Sequence, residues 1–143
     1  RSTQSIHQEL GKLMWEHCGI ARTKESLQEG LKKIPLLREE FYNNLKLPGT
    51  SAEMNQSLEH AGRLADFLEF GELMCHDALQ RNESCGCHLR EEYQTPEGEA
   101  QRNDAEYAHV SVFEYKGENQ EPELTKEPLS FDALPLADRN YKS

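Results

Sequence analysis

TKESLQEGLKKIPLLREEFYNNL, residues 23–45, is the stretch that decides the fold. Its apolar residues fall at Leu27, Leu31, Ile34, Leu37, Phe41 and Leu45, steps of three and four that draw one stripe along a helix. Thr23 precedes the stripe as the expected N-cap, because its hydroxyl accepts from a first-turn amide that has no partner within the helix. Pro35 falls inside the stripe. A proline there removes a backbone donor and costs ~3 kcal/mol, but the stripe stays in phase across it, which predicts one kinked helix rather than two.

The same period continues in both directions. Upstream, from about Ser2 to Cys18, the residues Ile6, Leu10, Leu13, Met14 and Cys18 share a face, and Gly19 ends the run. Downstream, Pro48-Gly49 marks a turn, and Thr50 and Glu53 have the spacing of a capping box opening the longest helix. Its expected stripe is Met54, Leu58, Ala61, Ala65, Leu68, Cys75 and Leu79, with Glu72 standing where an apolar residue is expected and the pattern fading by Arg81. Ala61, Gly62 and Ala65 are small enough to let a neighbouring helix approach. Three amphipathic segments joined by short turns predict a mainly α fold, an antiparallel three-helix bundle of spectrin-repeat-like form over residues 1–81.

Residues 82–143 change character: Pro, Gly and acidic residues multiply. His109–Tyr115 is the run with strand propensity, Lys116-Gly117-Glu118-Asn119 reads as a turn, and Glu127–Phe131 is the expected pairing partner. Two strands alone are barely stable in water, so the short β-hairpin must lean on the bundle or on something outside the chain. The remainder, through Leu134-Pro135 to Ser143, reads as an extended arm.

Length and charge narrow the function classes. One domain is expected from 143 residues. The chain begins at Arg1 without a leader, which predicts a processed, trimmed or excised piece. No apolar run nears the ~18 residues that cross a bilayer, so membrane contact is expected only through a partner. Lys and Arg total 16 against 26 Asp and Glu, a formal charge of −10 that argues against nucleic acid as a ligand. Four cysteines without a secretory leader predict reduced thiols and a reducing, cytoplasmic setting.

Reactive side chains concentrate at Cys75-His76 and again from Arg81 to Arg90. Zinc takes thiolate and imidazole ligands, and Cys75, Cys85, Cys87 and His88 supply both types. The Cys-x-Cys spacing is unlike ordinary structural zinc sites, however, and Cys75 lies on the apolar stripe, where a small buried thiol is the simpler reading. No metal site is expected, and a small zinc-binding protein stays as an alternative. A redox thiol at Cys85 or Cys87 would draw on Arg81, Arg90 and His88, which favour a thiolate. Ser84 with His88 four residues on is no evidence of a triad. His7, His17, His60 and His76 are expected to be solvated or capping, and Glu39-Glu40 and Glu91-Glu92 to be solvated faces. There is no dinucleotide fingerprint and no phosphate loop. The residues by themselves describe an acidic helical bundle with an unusual polar loop; a stand-alone protein-interaction module fits that description.

The loop also carries a resemblance. Glu83-Ser84-Cys85-Gly86-Cys87-His88-Leu89-Arg90, preceded by Arg81, resembles the Arg-x-Glu-Ser-Arg-Gly-x-His-x-Arg segment after the last bundle helix of succinate dehydrogenase and fumarate reductase flavoprotein subunits and of L-aspartate oxidases. Met14-Trp15-Glu16-His17-Cys18-Gly19-Ile20-Ala21-Arg22 with Leu27 resembles that family's Met-x4-Gly-(Ile/Val)-x-Arg-x4-Leu segment. Glu92-Tyr93-Gln94-Thr95-Pro96-Glu97-Gly98-Glu99-Ala100 and Arg139-Asn140-Tyr141-Lys142 resemble the tail of the succinate dehydrogenase and fumarate reductase branch in Bacteroidetes-like bacteria, whereas aspartate oxidases usually stop sooner.

The resemblance covers nearly the whole chain and implies a C-terminal helical domain. In the family, the intact subunit holds FAD, usually linked covalently to a histidine, and interconverts succinate and fumarate; the flavin-binding domain, that histidine and all catalytic and cofactor-binding residues would lie upstream of Arg1. The implied partners are that flavin-binding domain, an iron–sulfur subunit and, indirectly, a membrane-anchor cytochrome b, at the cytoplasmic face of the bacterial inner membrane. Arg81, Glu83, Ser84, Cys85, Gly86, His88 and Arg90 would form the contact loop toward the flavin domain. Cys85 departs from the family arginine, and a thiol cannot replace a five-donor fork, so Arg81 or Arg90 would have to compensate.

Overall fold

The computed structural model describes residues 1–49, 55–138 and 140. Three helices, α1 (Thr3–His17), α2 (Lys24–Asn44) and α3 (Gln56–Gln80), form the bundle. A single turn, α4 (Asp104–Tyr107), then leads into the strands β1 (His109–Glu114) and β2 (Glu123–Pro128).

Each long helix is opened by a polar side chain. The Ser2 hydroxyl accepts from the Ser5 amide, and Thr23 Oγ1 accepts from the Ser26 amide at 3.1 Å. Asn55 does the same for α3, where its Oδ1 accepts from the Ser57 and Leu58 amides while its Nδ2 donates to the Pro48 carbonyl at 3.0 Å. The capping box expected at Thr50 and Glu53, and the stripe position Met54, lie outside the described residues; α3 opens at Asn55-Gln56. Pro35 sits inside one continuous α2, in keeping with the unbroken phase of its stripe. Arg1 ties the start of α1 to the end of α2: its amino group donates to the Asn44 carbonyl at 2.9 Å and its guanidinium to Glu40 at 2.9 Å. Glu40 is thereby a structural carboxylate rather than part of a solvated face.

The core runs along the bundle axis through Ile6, Leu10 and Cys18 of the first segment, Leu27, Ile34, Leu37 and Phe41 of α2, and Ala61, Leu64, Leu68, Cys75 and Ala78 of α3. Fully burying a leucine such as Leu64 or Leu68 stabilises by about 2 kcal/mol. The α3 stripe is displaced from the expected one. Leu58 is 57% exposed, and the buried line passes through Leu64, Gly71 and Ala78 beside Ala61, Leu68 and Cys75. Glu72 is therefore not a fault in the stripe: it lies on the flank, ion-paired with Arg38, which also reaches Glu69 at 3.3 Å.

The small residues that bring the helices together also differ from the expected trio. Gly62 faces open space, whereas a Cβ at Gly71 would lie 3.0 Å from Met14 Sδ and one at Gly30 would lie 3.1 Å from His17 Cβ. Close approach of α1 to α3 and of α2 to α1 depends on these two positions.

The strands pair antiparallel, with His109 opposite Pro128 and Glu114 opposite Glu123. The second strand lies four residues before the expected Glu127–Phe131. Leu129 and Phe131 have the better propensity, but register is set by the cross-strand pairs Phe113–Leu124 and Val112–Thr125 and by Lys116, which bonds Glu114 at 3.2 Å and Glu123 at 2.9 Å across the turn. The hairpin leans on α3 through an edge-to-face contact of His76 with Phe113, centroids 6.0 Å apart.

Candidate functional site

Residues 81–92 cross the end of the bundle and hold its parts together. The tip is a two-residue hairpin turn in which Cys85 and His88 exchange both backbone hydrogen bonds, at 2.9 and 3.1 Å. Gly86, the first of its two central residues, has φ +61°, a conformation that favours glycine and matches the turns that join twisted strands. Cys85, Gly86 and Cys87 form the exposed apex.

Behind the apex the side chains turn inward. Ser84 is fully buried; its hydroxyl accepts from the Arg90 amide at 2.9 Å and donates to the Arg90 carbonyl at 3.0 Å, which pins the two limbs of the loop together. Arg90 is 1% exposed and donates to the carbonyls of Ala78 at 3.1 Å and Leu79 at 3.2 Å, two groups left without helical partners at the end of α3. Its Nε donates to Glu92 at 3.1 Å, and its guanidinium lies 5.2 Å from the Tyr93 ring centroid. Glu92 in turn accepts from the Lys24 amide, the first of α2, where the helix dipole favours an anion. Burial alone would raise the Glu92 carboxyl, but the Lys24 amide and Arg90 outweigh it and hold the group below the usual carboxylate range. Glu91 and Glu92 are both exposed, as expected, but the Glu92 oxygens also serve two elements at once.

His88 is fixed by two neighbours that can each act in only one way. Nε2 donates to the Arg81 carbonyl at 2.9 Å, and Nδ1 accepts from the Arg22 guanidinium at 2.9 Å, which defines the neutral tautomer. Burial, reinforced by the charges of Arg22 and Arg90, holds its pKa below the ordinary histidine value in spite of the Arg81 bond. Arg22 is also tied by its backbone, donating to the Leu89 carbonyl and accepting from the Glu91 amide, both at 2.9 Å. On the opposite side, Arg81 donates to the carbonyls of Tyr107 and His109 and to the Ser111 hydroxyl, anchoring β1. Buried Glu83 bonds Arg81 at 3.3 Å and accepts from the Asn103 amide at 3.1 Å.

The structure therefore brings all seven residues of the expected contact loop into one place and divides them. Arg81, Glu83, Ser84, His88 and Arg90 engage this chain's own groups, while Cys85 and Gly86 stand outward beside Cys87. Arg81 and Arg90 are turned into the domain, where their donors are taken by its own carbonyls. Ser84 has no histidine partner. Cys75 lies in the bundle core, apart from the exposed Cys85 and Cys87, and both nitrogens of His88 are bonded. Among the described residues no three His, Cys, Asp or Glu side chains group as metal ligands. Sequence reasoning about the loop did not find Arg22 and Glu92; the signal was present, since each lies inside a segment that carried the resemblance.

A second feature is an open groove of about 1480 Å³ between the outer faces of α2 and α3 and the hairpin. Tyr42, Phe70, Phe113 and Tyr115 line it, and carboxylates including Glu39, Asp66, Glu118 and Glu121 surround it.

A family profile described as fumarate reductase flavoprotein C-terminus matches residues 7–141. The chain belongs to that family. A fumarate reductase flavoprotein subunit of a Serratia strain is 33% identical over 140 residues, covering 98% of this chain and 22% of the relative. An L-aspartate oxidase of Vibrio cholerae is 33% identical over 88 residues, covering 59% of this chain and 15% of that protein. A solved quinol fumarate reductase chain of Escherichia coli superposes with a TM-score of 0.80 at 29% identity, covering 96% of this chain and 23% of that one. The chain thus spans about a fifth of the length of the flavoprotein subunits it matches, at their C-terminal region. No helix among the described residues is long and apolar enough to cross a membrane.

Proposed function

We propose that this flavoprotein C-terminal domain serves as a structural cap in a subunit that interconverts succinate and fumarate with FAD, and that it contributes no catalytic residue. The observation carrying this reading is the loop of residues 81–92. Arg81, Glu83, Ser84, His88 and Arg90 tie the α1–α2 connection, the end of α3 and β1 together, while Cys85, Gly86 and Cys87 form an exposed apex. The apex is the contact toward the flavin-binding domain of the same subunit, with Arg81, Glu83, Ser84, His88 and Arg90 holding it in position from behind.

The residues present do not suit FAD. Arg22, Arg81, Arg90 and Arg102, which lie in or beside the loop, are bonded to carbonyls, carboxylates or His88, and the groove is bordered by carboxylates that would repel a pyrophosphate, its Arg38 being already paired with Glu69 and Glu72. The cofactor belongs to the upstream part of the subunit. An iron–sulfur subunit and, through it, a membrane-anchor cytochrome b are the further partners, with the assembly held as a peripheral complex at the cytoplasmic face of the bacterial inner membrane. The test is fumarate reduction by the purified chain with a reduced artificial electron donor. No turnover is expected with or without added FAD; turnover would overturn the reading.

A further inference from the structure

The groove between α2, α3 and the hairpin takes no residue from the loop of residues 81–92, and so offers a second, separate surface. Its lining is rich in aromatic rings. Tyr42, Phe70 and Tyr115 are 63%, 61% and 67% exposed and Leu36 is 66% exposed, a concentration of large apolar side chains left in water on one flank of a small domain. Two of the rings are held in place by neighbours: Tyr42 meets Phe41 edge to face with centroids 5.0 Å apart, and Phe113 meets His76 in the same way at 6.0 Å. Around the rings, Glu39 and Asp66 stand on the two helices and Glu118 and Glu121 on the turn between the strands. These four carboxylates are exposed, and none of them is in an ion pair or hydrogen bond among the described residues. Arg38, which also borders the groove, is already paired with Glu69 and Glu72.

We propose that the groove is a docking surface for a protein segment of another chain that carries both arginine and large apolar side chains. Charge selects the occupant. A phosphate-bearing ligand or an anionic membrane surface would meet four carboxylates with no counter-ion, and a second copy of this chain would bring a formal charge of −10 and the same acidic rim against itself. An arginine satisfies both parts of the groove: its guanidinium stacks on the face of Tyr42, Phe70 or Tyr115, and its donors reach the carboxylates around the rings. A lysine supplies the charge but no plane to stack. Apolar residues beside the arginine cover Leu36 and the remaining ring surface. The size also suits a peptide: at a rise of ~1.5 Å per residue, the α2 side of the groove from Leu31 to Asn43 is roughly 18 Å long, enough for about five residues of extended chain at ~3.3 Å each. The source of the segment, though not its chemistry, rests on the reading of the Cys85-Gly86-Cys87 apex as the contact with the flavin-binding domain, which leaves the α2–α3 flank to a separate subunit.

The chemistry is tested by amide NMR shifts of the isotope-labelled chain titrated with capped peptides of about six residues that alternate arginine with leucine, arginine with serine, or glutamate with leucine. The arginine–leucine peptide is expected to shift the amides of Tyr42, Phe70, Phe113 and Tyr115 and to bind at least about tenfold tighter than the other two. Phe70→Ser with Tyr115→Ser, and separately Glu118→Lys with Glu121→Lys, are each expected to weaken it by about tenfold; all four side chains are exposed, and unchanged spectra elsewhere report that the variants are folded. Glu16→Lys with Glu25→Lys, at exposed carboxylates outside the groove, is expected to leave binding within about twofold. The proposal is overturned if the shifts scatter over the acidic surface, if the arginine–serine peptide or spermidine binds as tightly, or if the groove variants bind like the parent. Dimerisation of the chain alone through the same residues would make a second copy the occupant and overturn it equally. The source is tested in the intact assembly with benzoylphenylalanine in place of Tyr115: irradiation is expected to link it to an arginine-containing peptide of another subunit. A link within the flavoprotein subunit, or none, would overturn the assignment to another chain and leave the reading of the apex to its own labelling test.

Discussion

Arg90→Met removes a guanidinium that is 1% exposed while keeping most of its aliphatic bulk, and so isolates what its donors do. Two carbonyls at the end of α3, Ala78 at 3.1 Å and Leu79 at 3.2 Å, lose their donor in a buried setting. Each orphaned carbonyl costs about 1–3 kcal/mol. Glu92 loses a partner at 3.1 Å but is about a third exposed and keeps the Lys24 amide, so that loss adds at most about 1 kcal/mol. Release of a buried charge to water offsets part of the total. The net expectation is about 3 kcal/mol, read as a lower urea midpoint at unchanged slope and a melting temperature lower by about 6–12 °C. Arg90→Lys keeps the charge but offers a point donor in place of a fork, and is expected to lose about half as much. An Arg90→Met chain within about 1 kcal/mol of the parent would refute the assignment of Arg90 as the clasp between loop and bundle.

Other consequences of the loop geometry are open to measurement. Because His88 binds a proton less readily in the folded chain than when unfolded, its contribution to stability is full above its ordinary pKa of 6.5 and is lost as the pH falls below it. His88→Gln, which keeps an acceptor and a donor, is expected to flatten urea midpoints between about pH 7 and pH 5.5, above the range in which Glu92 titrates. Gly71→Val places a branched side chain against Met14 and α1, and is expected to cost at least about 2 kcal/mol, whereas Gly62→Ala, in open space, should be neutral or slightly stabilising in thermal melts. Cys85 and Cys87 are expected to react rapidly with a maleimide in the isolated chain and to be shielded in an intact flavoprotein subunit; equal labelling rates in the two would remove the apex as the interdomain contact.

Much of the fold could be read in the sequence because the helical stripes are local signals. Thr23, Ile34 and Phe41 occupy the places that period and capping assign them, and Pro35 was tolerable because the phase runs through it. Where the reading failed, the deciding contact was non-local. Glycine carries no hydrophobic signal, so a period count passed over Gly71, although the approach of α1 places it in the core. That error moved the α3 stripe toward Leu58 and away from Leu64. The hairpin register followed Lys116 and Phe113–Leu124 rather than the apolar residues at Leu129 and Phe131. In the loop, the residue types were visible but their direction was not: Arg90 turns back to the Ala78 and Leu79 carbonyls at the end of α3, Arg81 to the Tyr107 and His109 carbonyls, and Glu83 accepts from the Asn103 amide. Arg22 is distant in sequence from the histidine it bonds, and no spacing rule links the two.

If the chain is a structural domain of a larger flavoprotein subunit, source cells hold it only as part of that subunit. A denaturing gel of cell extract is scanned for flavin fluorescence and then blotted with an antibody raised against this chain. One band several times heavier than 16.4 kDa is expected both to fluoresce and to react with the antibody. A non-fluorescent band at the mass of the chain itself would contradict it and identify a stand-alone protein.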